Sequence, residues 1–110
     1  MTTIRPKSDP PIPRRIQVGK KLYSIEVVEA MLEKKHMGKV YYPQQTIKLG
    51  LSSNVTGRRY RKEEVQDTFW HEVVHAILHD MGLDTLNHNE KFVTGFANRL
   101  TQAINSARFE

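Results

Sequence analysis

The chain has 110 residues, room for one domain around one hydrophobic core. It has no cysteine, which excludes disulfides and any thiolate metal site, and no apolar run long enough to cross a membrane. Its 17 Lys and Arg against 12 Asp and Glu give a formal charge of +5. That permits contact with nucleic acid or another polyanion without demanding it, since such a charge also simply keeps a small domain soluble. With no apolar leader at the N-terminus, the expected setting is the cytoplasm.

Residues 1 to 14 carry Pro6, Pro10, Pro11 and Pro13 among basic residues and read as an extended, mobile arm, because proline fixes its own dihedral and has no amide to donate. The single domain is expected over residues 15 to 110. Ile16-Gln17-Val18, then Gly19-Lys20-Lys21, then Leu22 to Val28 read as a hairpin with Tyr23, Ile25 and Val27 on one face. Glu29 to Lys35 reads as a short helical turn or loop, and His36 as an exposed loop residue. A second hairpin joins Lys39-Val40-Tyr41-Tyr42 to Thr46 to Leu51, where Ile47, Leu49 and Leu51 alternate with Lys48 and Gly50. After a polar loop comes the densest basic run, Arg58, Arg59, Arg61 and Lys62, expected to be a solvated lead-in, with nucleic-acid binding as the minor alternative.

A helix is expected from Lys62–Glu64 to about Met81, with Gly82 as its stop. It carries Phe69-Trp70-His71-Glu72-Val73-Val74-His75-Ala76-Ile77-Leu78-His79. In this His-Glu-x-x-His pattern the two histidines, four apart, lie one above the other and can converge on one ion, for which zinc is the natural candidate. Glu72 sits one step round, beside the ion rather than toward it, which suits a general base. The rest of this helix is apolar almost all round, hence buried, and unpaired His and Glu there would be costly; a metal cavity resolves the conflict.

A hydrolytic zinc keeps three protein ligands and an open position. His79 is about 12 Å along a straight helix from His71, too far for both to share one ion. Asp80 or Asp84 could orient a ligand imidazole. His88 and Glu90 remain as third ligand, at the start of a last helix capped by Asn87 or Asn89 and ending near Ser106. Along it Val93, Ala97, Leu100 and Ile104 form a stripe headed by Glu90.

The motif from Phe69 to His79, followed by Glu90 and Phe96-Ala97-Asn98, resembles the ImmA/IrrE-type zinc metallopeptidases, with small phage and prophage members in particular similar around Gly38 to Leu49. The resemblance implies an α+β, zincin-like minimal domain: a small antiparallel or mixed sheet packed on the His-Glu-x-x-His helix and a C-terminal helix. It also implies a gluzincin-like site with His71, His75 and Glu90 on Zn2+, and Glu72 activating the zinc-bound water to hydrolyse a protein or peptide. The resemblance further implies that an edge strand holds the substrate, a part the strand around Thr46 to Leu51 could play if it lies at the sheet edge. His88 with Phe92 is similar instead to the His-Gly-x-x-Phe of SprT-type proteases, with Asn89 in place of the glycine; that reading makes His88 the third ligand and implies action on DNA-bound proteins. Tyr41, Tyr42, Tyr60, His79 and His88 are candidates for steadying the oxyanion. The rival class is a zinc-stabilised binding protein of phage origin without turnover.

Overall fold

A computed structural model describes residues 12–33 and 36–109. The expected α+β class is what it shows. In chain order the elements are β1 (Arg15–Val18), β2 (Lys21–Ala30), β3 (Gly38–Tyr41), β4 (Thr46–Ser52), α1 (Lys62–Asp80), α2 (Asp84–Asn87) and α3 (Glu90–Ser106). The four strands form one mixed sheet in the order β1-β2-β4-β3.

Both expected hairpins are present. β1 and β2 pair antiparallel, turning at Gly19, whose φ of 61° is one that glycine adopts without steric cost. β3 and β4 pair antiparallel, with Val40 opposite Ile47. The hairpins are joined by a parallel pairing of β2 with β4, Ile25 beside Ile47 and Val27 beside Leu49. The strand from Thr46 to Leu51 is therefore interior and cannot itself take on a further strand; the edges of the sheet are β1 and β3. Period-2 alternation fixes which face is buried, and both strands bury theirs: Tyr23, Ile25, Val27, Ile47 and Leu49 are all essentially inaccessible.

Of the expected arm, residues 1–11 lie outside the described residues. Ile12 belongs to the core, and the Arg14 carbonyl accepts from the Ile25 amide at 2.9 Å. In the segment expected as a helical turn, β2 continues through Glu29 and Ala30, while residues 34 and 35 lie outside the described residues.

α1 starts and stops as expected. Glu64 accepts from the Arg61 amide at 2.8 Å and takes a two-pronged ion pair from Arg58 at 3.1 and 2.9 Å, which together hold its carboxyl down at about 2. This acid offsets the cations crowded at the positive end of the helix. At the other end Gly82 takes φ 71° and the Leu83 amide reaches back to the Leu78 carbonyl at 3.0 Å, a Schellman closure.

The helix has two buried faces. Val65, Phe69, Val73 and Ala76 pack against the sheet, while Val74 and Leu78 pack against Val93 and Ala97 of α3. Gln66 and Asn105 exchange two side-chain hydrogen bonds of 2.9 Å between the helices. At about 100° per residue, His71 and His75 fall in the gap between these faces, and Glu72 falls on the margin nearest the sheet. The α3 stripe is shorter than expected: Val93, Ala97 and Thr101 are buried, Leu100 is partly so, and Ile104 is exposed.

Candidate metal centre

α1 and α3 bring three of the singled-out side chains together. His71 Nε2 lies 3.3 Å from Glu90 Oε2, and His75 Nε2 lies 3.1 Å from Glu90 Oε1. The two rings are 4.9 Å apart, centroid to centroid, and steeply inclined. One donor atom from each of the three residues lies within 4.8 Å of the others, and among the described residues this is the one cluster of such groups that could hold a metal ion. Four-coordinate geometry with bonds of about 2.0–2.1 Å places neighbouring donors about 3.3 Å apart. The His-to-Glu separations already have that size, so the residues fit an ion. Glu90's side chain is 66% exposed, which leaves the cluster open to solvent on one side.

α3 delivers Glu90 because Asn89 caps the helix, accepting from the Phe92 amide at 3.1 Å, so that Glu90 is the first helical residue. Its carboxylate sits at the helix's positive end, a favourable place for a negative charge. His88 follows α2 as its C-cap, is exposed, and stands outside the cluster.

Glu72 is buried, unlike Glu90. Loss of hydration, reinforced by the nearby Glu90 carboxylate, pushes its carboxyl up to about 8; the Val40 amide and Lys39 pull the other way. A cation held by the triad would lower it again through charge alone. Val40 belongs to β3, so the edge strand and Glu72 adjoin. Burial and the His75 charge lower the His71 imidazole, opposed by Glu90 and by Asp67, one turn earlier on α1.

The sequence nominated Asp80 and Asp84 to orient a ligand imidazole. The residue found against one is Asn87, whose Oδ1 lies 2.5 Å from His75 Nδ1. Its Nδ2 donates to the Tyr42 hydroxyl at 3.1 Å. From sequence alone Asn87 reads only as a helix cap. Chain geometry was the available signal: the short link from the end of α1 back to Glu90 must pass the level of His75, and Asn87 lies on it. His79 is stacked on Tyr42, ring centroids 3.8 Å apart and 14° from parallel. Of the other candidates for the oxyanion, Tyr41 turns its hydroxyl to Glu33 and Tyr60 packs on the core under Arg58.

The basic run before α1 is partly paired, with Arg58 and Arg61 sharing the one carboxylate of Glu64. Besides the Arg58–Glu64 pair, Arg59 meets Glu29 at 2.7 Å and Arg61 approaches Glu64 at 3.6 Å. No helix among the described residues is long and apolar enough to cross a membrane.

Among known protein families, the model of the SprT-like family matches the chain over residues 14–108. This is the family of the alternative resemblance; membership of the ImmA/IrrE-type peptidases is not shown. No curated protein and no solved structure matches the chain.

Proposed function

The chain belongs to the SprT-like family, and on that footing we propose that it is a zinc-dependent peptide-bond hydrolase, with His71, His75 and Glu90 as ligands and Glu72 as general base. The observation that carries the proposal is the convergence of two imidazole nitrogens on a single carboxylate at 3.3 and 3.1 Å, with a second, buried carboxyl alongside. Two nitrogens and an oxygen, without thiolate, form a donor set of the catalytic zinc type. Glu90 is assigned over His88 because its oxygens meet both imidazoles, while His88 stands apart from the cluster.

The ion, when bound, supplies Lewis acidity toward a water and toward a substrate carbonyl. Glu72 accepts the proton of the attacking water and returns it to the leaving amine. The hydrogen bond from the Val40 amide steadies its carboxylate during that exchange. The neighbouring edge of β3 favours an extended peptide as substrate, since an unpaired strand edge can add one more strand. Arg58, Arg59 and Arg61 meet Glu64 and Glu29 of the same chain, which takes up part of the charge a nucleic-acid role for that run would use. A merely structural metal site would gain nothing from a buried carboxyl at position 72.

Unfolded casein is a suitable first substrate. Cleavage is expected with the zinc-loaded protein, should stop on removal of metal by a chelator, and should return when zinc is restored. Cleavage that persists through chelation contradicts the proposal, as does a zinc-loaded protein that cleaves neither casein nor a peptide library.

A further inference from the structure

We infer that Asn87, held in orientation by Tyr42, is a positioning residue that fixes His75 in its metal-competent tautomer. This deepens the proposed metal site and rests on that reading. An imidazole can offer a lone pair to an ion from Nε2 only when its remaining proton sits on Nδ1, and the partner of Nδ1 decides where that proton goes. The partner here is an amide, which can present either an acceptor oxygen or a donor nitrogen. If Asn87 presented its nitrogen, His75 would have to accept at Nδ1, its proton would move to Nε2, and the atom 3.1 Å from Glu90 would no longer be free to ligate.

Tyr42 resolves the ambiguity. Its hydroxyl is 3.5 Å from the His75 carbonyl, a group that can only accept, so the phenol's one proton points there. With that proton committed, the hydroxyl receives the Asn87 Nδ2–H at 3.1 Å, and the amide oxygen faces His75 Nδ1. Stacking on His79, one turn beyond His75, keeps the phenol in place. The result is a clamp drawn from three elements: Tyr42 just after β3, His75 and His79 on α1, and Asn87 closing α2. Since only an acceptor is required at position 87, a carboxylate of the same reach can replace the amide.

Zinc affinity, measured by competition with a chromophoric chelator, tests this without reference to turnover. Asn87→Ala is expected to bind zinc about 10- to 100-fold more weakly than the parent, the range for losing such a partner. Asn87→Asp should bind at least as tightly as the parent. Tyr42→Phe, which frees the amide to turn over, should fall between the parent and Asn87→Ala. Thermal unfolding in chelator shows whether each metal-free variant is folded; should Asn87→Ala not fold, Asn87→Asp against Tyr42→Phe decides. Parent-like affinity in Asn87→Ala or in Tyr42→Phe overturns the inference, and so does an Asn87→Asp protein that binds more weakly than the parent. Those results would leave the proposed hydrolase standing, whereas a parent protein that takes up no zinc removes both.

Discussion

Replacing Glu72 by glutamine should lower peptide turnover by about 10²- to 10⁴-fold while leaving zinc content unchanged. The substitution keeps the shape of the side chain, and its amide oxygen can still accept from the Val40 amide, so the helix and the sheet edge have no reason to move. What disappears is a group able to take up a proton. Glu72 is not among the three side chains whose donor atoms cluster, so metal uptake should not depend on it. Metal analysis of the purified Glu72→Gln protein beside a casein assay checks both halves. Turnover near that of the parent would remove Glu72 from the chemistry, while loss of zinc together with activity would make it a ligand.

The second large effect is on stability. Phe69→Ala should destabilise the domain by about 3–5 kcal/mol, the usual cost of emptying a buried aromatic site. Phe69 is 1% exposed, packs into the core between α1 and the sheet, and meets Trp70 edge-to-face at 4.9 Å. Against a total stability of about 5–15 kcal/mol for a domain, such a loss approaches the threshold of folding. Urea unfolding of the metal-free protein would show it as a large fall in midpoint. Phe96, half exposed on α3, provides the contrast: Phe96→Ala should cost no more than about 0.5 kcal/mol. A Phe69→Ala protein as stable as the Phe96→Ala protein would mean that the core is not organised around α1.

Much of this architecture was legible in the chain because it rests on local signals. Alternation marked the two hairpins, and Gly82 marked the end of α1. The spacing of His71 and His75 on one helix face is a matter of helical period alone. The mixed sheet as a class was within reach, but its strand order was not. Alternation says which face of a strand is buried and nothing about which strand lies beside it, so the parallel pairing of β2 with β4 stayed hidden. Whether Thr46 to Leu51 lies at an edge is not written in its alternation either; the edges belong to β1 and β3. Charge pairing was equally out of view: Arg59 meets Glu29 from 30 residues away, through the fold.

Glu90 was the harder reading. Its place at the head of the α3 stripe made it a candidate ligand, but a stripe cannot tell whether the helix passes close enough to His71 and His75 for one carboxylate to meet both. His88 stayed in contention for the same reason, and the SprT-like match taken alone would favour it. Asn87 went unrecognised because amides near a helix start are ordinarily caps, and Asn89 fills that role here.

The most direct test is the metal content of four purified proteins: the parent, His71→Ala, Glu90→Ala and His88→Ala. About one zinc per chain is expected in the parent and in His88→Ala, with strong loss in His71→Ala and Glu90→Ala. Zinc lost with His88 and kept with Glu90 would contradict the ligand set, and a parent protein without affinity for zinc would contradict the metal centre itself.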